Sequence, residues 1–310
     1  MVKIYSAPLQ GFTQAPWRHW HAALYEPADV YFAPFMRLEH GDVRQRDLRD
    51  VTSPLNDNHN LVPQVIFRDV DELKHLVGVL RNAGFSRVDL NLGCPFPPQV
   101  NKGRGAALVG RPDMLEAVAD LVNSDPSMAY SVKMRPGVKD ADEWRGALPA
   151  LNRMRLVHVA VHPRIARNQY SGSVDMDCFA EMADAIHHPI IYNGDIVAAT
   201  GIDGVLQRFP GLEGVMVGRG LLSRPSMIEE WRSGVEWDLT KCRERILQLH
   251  SRICEYYTDT LCGDAQILSK IKPFWEYLGG LFDRKLLKHT LKSTSLASYV
   301  SAVESMAKKK

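Results

Sequence analysis

Eight short runs of β-branched, aromatic and other apolar residues recur along the chain. They are VKIYSAPL (2–9), DVYFAPFM (29–36), LVPQVIF (61–67), RVDLNLG (87–93), MAYSVKMR (128–135), LVHVAVHP (156–163), PIIYNGDI (189–196) and GVMVGRG (214–220). Between most of them lie stretches with the period of an amphipathic helix, such as DVDELKHLVGVLRNAG (69–84) and RPDMLEAVADLVNS (111–124). Near-continuous apolar strands alternating with helices signal a parallel sheet covered on both faces. Eight such units over about 220 residues predict an α/β fold of the TIM (β/α)8 barrel type rather than an open doubly wound sheet. Segment 37–60 fits least well, because it is polar and shows little helical period.

After Pro225 the pattern changes. Residues 240–310 contain no convincing strand and read as helices: TKCRERILQLHSRICEYYTDTL, DAQILSKIKPFWEYLGGL and DRKLLKHTLKSTSLASYVSAVESM. The expected organisation is a barrel over residues 1–235 followed by a small helical domain over 236–310. No repeat is visible beyond the alternation of strand and helix.

Composition narrows the class. At 310 residues, with 45% apolar and 24% charged residues, the chain reads as an ordinary globular protein and not a disordered one. No apolar run approaches the roughly 20 residues of a membrane span, and MVKIYSAPLQGF lacks the apolar core of a signal peptide. A cytoplasmic location with no membrane partner is expected. The five cysteines (94, 178, 242, 254 and 262) are scattered without a CxxC pair, so neither a disulfide framework nor a metal site is expected. Cys242, Cys254 and Cys262 sit in helical-looking sequence and read as small buried hydrophobes.

Charge divides the chain. Residues 241–310 hold 13 Lys and Arg against 7 Asp and Glu, a net of +6, while the rest holds 25 against 29, a net of −4. A basic helical appendage on an acidic-leaning barrel suits contact with a polyanion. A solvated helical face explains the same charge, and Lys308–Lys310 read equally well as a tail.

In a TIM barrel the chemistry sits where strands end at the C-terminal rim. Those ends carry Ala7-Pro8-Leu9, Gln64, Asn91, Cys94, Lys133, Arg135, His162, Arg164, Asn193-Gly194-Asp195 and Gly218-Arg219-Gly220. Two glycine-bearing turns after strands seven and eight match the standard barrel phosphate site, where backbone N–H groups cradle the anion. Gly194, Gly218 and Arg219 are the expected contacts, since Asp195 by itself repels phosphate. With Lys133, Gln64 and Asn91 nearby, the site suits a flavin mononucleotide: a cation stabilises the charge of the reduced ring and amides meet its donors and acceptors. No GxGxxG fingerprint for a second phosphate follows a strand, which favours FMN over FAD.

These residues carry a resemblance. NLGCP followed by KGRGAAL, with SVKMR, HPR…QYSG, NGDI and GVMVGRGL, resembles the motif series of the tRNA-dihydrouridine synthase family, in order and spacing over residues 7 to about 225. The resemblance implies reduction of a uridine in tRNA to 5,6-dihydrouridine, using FMN and NADPH or NADH. It implies that Cys94 protonates uracil C5 while flavin N5 delivers hydride to C6. A thiol of ordinary pKa near 8.5 is protonated at neutral pH and suits a general acid. By matching position, Ala7, Pro8 and Leu9 would pack on the flavin ring, and Gln64, Lys133 and His162 would meet its polar edge. Asn193, Gly194, Asp195, Gly218 and Arg219 complete the cofactor set. Asn91, Arg164 and Tyr170 would hold the uracil or its neighbours, with Lys102 and Arg104 on a loop that closes over substrate. Lys285, Lys288 and Lys292 are the candidate tRNA contacts of the helical domain, and Phe274 and Trp275 read as core.

The chain departs from the family pattern at five places. Leu9 replaces a Met, Gln14 an Asp, Pro163 and Ile165 the Gly and Thr of HGRT, and Asn168 falls where the family has Gln. Two other readings stay open at this point. One is an FMN-dependent dehydrogenase of a free pyrimidine, which needs no basic appendage; the other is a flavin-bearing RNA chaperone without catalysis. A monomer is expected.

Overall fold

The computed structural model describes residues 2–308. Met1, Lys309 and Lys310 lie outside the described residues, and with them most of the Lys308–Lys310 tail.

The barrel strands are β1 (Lys3–Ser6), β2 (Val30–Phe32), β3 (Leu61–Val62 and Gln64–Val65), β4 (Arg87–Leu92), β5 (Ala129–Met134), β6 (Leu156–Val161), β7 (Ile190–Asn193) and β8 (Gly214–Val217). All neighbours run parallel, and β1 pairs with both β2 and β8. The two ends of the sheet are the two halves of β3, separated only by Pro63. Proline has no N–H to give the ladder, so pairing breaks at that residue alone. Leu61–Val62 pairs with β2 and Gln64–Val65 with β4, which closes the barrel.

Strand alternation sorts the side chains. Val88, Leu90 and Leu92 of β4, Val132 and Met134 of β5, and Val159 and Val161 of β6 pack in the core shared with the surrounding helices. A period of two then turns Asp89, Asn91, Ser131, Lys133, His158 and Ala160 to the barrel interior. There an apolar cluster of Tyr5, Ala7, Val30, Phe32, Val62, Ala160, Ile191 and Met216 fills one part. The polar interior positions of β4 to β6 fill the other.

Segment 37–60 is more structured than its polarity suggests. It forms an antiparallel pair (Leu38–Glu39 with Asp42–Val43), a helix Gln45–Val51 and a 3-10 turn Pro54–Asn56. Seven residues are too few to display a helical period, which is why the helix was not visible in sequence. Its Asp50 does structural duty: Oδ1 accepts from the Ala15 N–H at the start of helix Ala15–Leu24 (2.7 Å), and Oδ2 pairs with buried Arg18 (3.0 Å).

No strand follows Val217 among the described residues. Helices Leu239–Thr260, Asp264–Ile271, Arg284–Lys292 and Leu296–Lys308 form the C-terminal region, and the first packs on Ala15–Leu24. Tyr257 Oη donates to Gln14 Oε1 (3.2 Å), and Phe12 meets Tyr277 edge-on at 5.2 Å, so the helices are tied to the barrel beside its rim. Cys242 is buried, but Cys262 is exposed in the turn between two helices and is not the buried hydrophobe expected.

Candidate active site at the barrel rim

A cavity of about 400 Å³ opens at the C-terminal ends of the strands. It gathers Ala7, Pro8 and Leu9 after β1, Gln64 of β3, Asn91 and Cys94 from β4, and Lys133 of β5. His162 and Tyr170 after β6, Asn193, Gly194 and Asp195 from β7, and Gly218 and Arg219 after β8 complete the ring. Residues far apart in sequence thus meet in one cleft.

A continuous polar chain runs beneath Cys94. Ser131 Oγ donates to Asp89 Oδ1 (2.6 Å), and Gln64 Nε2 donates to Asp89 Oδ2 (2.7 Å). Asn91 Nδ2 donates to Gln64 Oε1 (2.7 Å), and Asn91 Oδ1 accepts from the Gly93 and Cys94 N–H groups (3.1 and 2.8 Å). The carboxylate at one end therefore orients both amides and fixes the turn bearing the thiol. Burial pushes Asp89 up to about 6 despite the bonds from Ser131 and Gln64. Gly105 closes on the thiol from the other side. Its φ is +63°, and a Cβ there would lie 2.8 Å from Cys94 Cβ, so KGRGAAL needs glycine at this position.

Burial raises the Cys94 thiol, against the Phe96 N–H, Arg135 and Lys133, all of which favour the thiolate. The group is a protonated thiol at neutral pH. Lys133, on the neighbouring strand in register with Asn91, makes no hydrogen bond or ion pair among the described residues. Burial and the nearby Arg135 push it down to about 8, opposed by Asp89 and Cys94. His162 is held well below the ordinary imidazole range by burial and by Arg135, Lys133, Arg164 and Arg219. Arg164 Nη1 lies 3.2 Å from His162 Nε2. A guanidinium only donates, so Nε2 is the acceptor and the proton of the neutral ring sits on Nδ1.

The turns after β7 and β8 abut. A Cβ on Gly220 would lie 2.1 Å from the Ile196 carbonyl oxygen, and Asn193 Nδ2 donates to the Met216 carbonyl (2.7 Å). Gly194 (φ +151°) and Asp195 (φ +47°) both take positive φ. Gly218 heads the short helix Arg219–Ser223, whose first N–H groups have no partner within the helix. Asp195 does not stand alone: its carboxylate pairs with Arg164 Nη2 and with Arg219 Nη2 (2.8 Å). The pairing removes the sequence-level objection that this carboxylate repels an anion. The Arg219 guanidinium also lies over the Tyr170 ring, 4.4 Å from its centre.

Several expected site residues lie elsewhere. Arg164 does not line the cleft; its side chain is 1% exposed and holds His162, Asp195 and the Gly172 carbonyl (2.8 Å). It braces the cleft wall from behind. Arg104 is likewise buried, with Nε and Nη2 on the two Glu72 oxygens (3.1 and 2.6 Å) and Nη2 on the Leu38 carbonyl (3.3 Å). Its fork ties the loop to helix Val70–Asn82. Lys102 is exposed on that loop, outside the cleft. Lys285, Lys288 and Lys292 are exposed on helix Arg284–Lys292, away from the cleft lining. Trp275 is core and Phe274 partly buried against it. Gln14, where the family pattern has Asp, bonds Tyr257, and Gln169 rather than Asn168 reaches the cleft.

Asp89 has only the alternation in VDLNLG, which places it on the same face as Asn91, as its sequence signal. Arg135 at the end of β5 uses Nη1 to clamp the loop after β6 through the Ile165 and Gln169 carbonyls (3.2 and 2.8 Å). Tyr277 reaches the cleft from the helical region, a long-range contact with no local signal.

Fold and cleft together define a barrel enzyme with its chemistry at the C-terminal rim. The family model described as Dihydrouridine synthase (Dus) matches residues 5–296, and the chain belongs to that family. Among its relatives, a "Probable tRNA-dihydrouridine synthase" of Staphylococcus epidermidis is 26% identical over 305 residues, covering 93% of this chain and 88% of the relative. "Probable tRNA-dihydrouridine synthase 2" of Bacillus subtilis is 26% identical over 235 residues, covering 72% and 70%. Among solved structures, TcOYE with pHBA shares the fold with a TM-score of 0.52 at 11% identity, covering 76% of this chain and 90% of that one. A morphinone reductase mutant gives 0.51 at 12%, covering 76% and 87%. No helix among the described residues is long and apolar enough to cross a membrane.

Proposed function

We propose that the protein is a tRNA-dihydrouridine synthase that binds FMN in the rim cleft and presents Cys94 to the target uracil. The observation that carries this reading is Lys133. A lysine brought into a barrel cavity without an ion pair among the described residues, on the strand next to Asn91, fits an anionic ring edge that it would neutralise. The remaining donors fit the same group. Gln64 and Asn91 are oriented by Asp89, neutral His162 offers an Nδ1 proton, and the paired turns at β7 and β8 suit one phosphate.

When bound, the flavin, reduced by NADPH or NADH, supplies a hydride to C6 of the uracil. Cys94 gives its proton to C5, and the resulting thiolate is stabilised by the Phe96 N–H, Arg135 and Lys133 until a solvent proton restores it. The protein thus holds the proton on sulfur at neutral pH while keeping cations near enough to accept the charge left behind. Ala7, Pro8 and Leu9 give the ring an apolar floor. Tyr170 and Asn91 face the uracil, and residues 236–310 form the tRNA-binding region through Lys285, Lys288 and Lys292. The basic appendage favours this over a free-pyrimidine dehydrogenase.

Flavin released from the purified protein should run as FMN, and unmodified tRNA incubated with protein and NADPH should gain dihydrouridine by nucleoside mass analysis. Flavin running as FAD would remove the single-phosphate reading, and tRNA without dihydrouridine would remove the activity.

A further inference from the structure

Three large apolar side chains stand in solvent at the mouth of the cleft: Phe96 (55% exposed), Val197 (65%) and Tyr170 (46%). Tyr170 is partly covered by Arg219. No ring of the described residues covers Phe96, yet its backbone is held on both sides. Pro95 precedes it and Pro97-Pro98 follow, its carbonyl accepts from the Gln99 and Val100 N–H groups (2.8 and 3.1 Å), and its own N–H faces the Cys94 sulfur. A fixed backbone presenting an exposed phenyl ring is preorganised for a flat apolar partner, because little ordering remains to be done on contact.

We propose that Phe96 forms a ledge on which a nucleobase flanking the target uridine stacks once that uridine has entered the cleft. The inference rests on the reading of the protein as a uridine reductase acting on RNA. Drawing a base out of a stacked strand uncovers the faces of its neighbours, and the lost stacking must be replaced. Phe96 is two residues from the thiol, so a nucleotide with its uracil at Cys94 leaves its neighbours at this mouth. Behind the ledge the cleft carries Lys133, Arg135 and Arg219 against the single carboxylate Asp195, a sign suited to a phosphodiester chain. A phenyl ring has no donors or acceptors, so the ledge accepts any base by its face and leaves sequence choice to other contacts.

The test compares Phe96→Ala and Phe96→Trp with the wild type, using unmodified tRNA. Phe96→Ala should lower kcat/KM for tRNA roughly tenfold, mainly through KM, which is the scale of one lost base stack. Its flavin content should match the wild type, since the Phe96 side chain stands in solvent at the mouth and the substitution leaves the backbone N–H in place. Phe96→Trp should keep kcat/KM within about threefold and add an indole emission that tRNA quenches, as stacking requires. Wild-type dihydrouridine formation with unchanged kcat/KM in Phe96→Ala would overturn the ledge alone, and so would Phe96→Trp emission that saturating tRNA leaves untouched. Absence of dihydrouridine with the wild type itself would overturn the activity, and the ledge with it.

Discussion

Among the buried polar clusters of the described residues, one in the helical region and one in the barrel interior differ in a telling way. In the first, Tyr299 Oη accepts from Trp275 Nε1 (2.7 Å), shares a 2.6 Å bond with His250 Nε2 and lies 3.3 Å from the Ile271 carbonyl. Burial alone pushes His250 down to about 3, so the ring is neutral and the network is closed among protein groups. In the second, the chain from Ser131 through Asp89, Gln64 and Asn91 ends at a cavity. Lys133 stands in that cavity with no hydrogen-bond or ion-pair partner among the described residues, and the Cys94 thiol lines the same cavity. Both clusters look alike in sequence, as a His, Lys or Asp interrupting an apolar run. The difference lies in closure: in the first cluster the donors meet protein acceptors, and in the second the Lys133 ammonium faces the cavity.

Substitutions in the two clusters should separate stability from binding. The largest effect on stability belongs to Trp275→Ala. It removes a large core side chain and the donor to Tyr299, and should lower unfolding free energy by about 3–5 kcal/mol in urea titrations. The fraction that remains folded should carry its full complement of flavin; flavin loss at unchanged stability would make the helical cluster part of the site. Lys133→Met should do the reverse. Flavin affinity by equilibrium dialysis should fall roughly tenfold to hundredfold, since a charged hydrogen bond contributes about 1.5–3 kcal/mol. The flavin-free protein should be no less stable, because burial already disfavours the ammonium. A destabilised apoprotein with unaltered flavin affinity would place Lys133 with His250 as a structural group.

Asp89→Asn sharpens the contrast through pH. The folded pKa of about 6 lies above the unfolded value near 3.9, so the folded state holds the proton more tightly. Wild-type stability should therefore fall as pH rises from about 4 to 6, by on the order of 2 kcal/mol. Asp89→Asn lacks that titration, and the difference between the two proteins should change sign or shrink across this window and stay flat above it. A parallel pH dependence would show that Asp89 does not titrate there. Replacing Lys285, Lys288 and Lys292 together with alanine should have the smallest effect on the fold and none on flavin content. It should flatten the salt dependence of tRNA binding by roughly two to three units, each duplex phosphate contributing about 0.9. An unchanged slope would make these lysines a solvated face.

The barrel was legible because period and element count are local properties summed over many residues. Every apolar run quoted from the sequence contains one of the eight strands, and the rim residues of β1 to β8 followed from the rule that loops after strands meet at one end. Three features were hidden. Helix Gln45–Val51 is too short for a period and is fixed by tertiary bonds of Asp50 with Arg18 and Ala15. Arg104 and Arg164 carry charges that sequence cannot distinguish from substrate contacts; only burial against Glu72 and Asp195 shows that their forks are already taken. Tyr277 enters the cleft by helix packing across more than 260 residues of chain from Phe12, and nothing local announces it.

The role of Cys94 is tested most directly by a single turnover. Protein carrying reduced flavin, free of oxygen and of nicotinamide, is mixed with unmodified tRNA, and flavin oxidation is followed alongside dihydrouridine. The wild type should oxidise one flavin per dihydrouridine formed. Cys94→Ala should retain its flavin and its reduction by NADPH, but lose at least about a hundredfold in the rate of dihydrouridine formation, the usual scale for a missing general acid. Equal rates in the two proteins would contradict the assignment of the proton to Cys94.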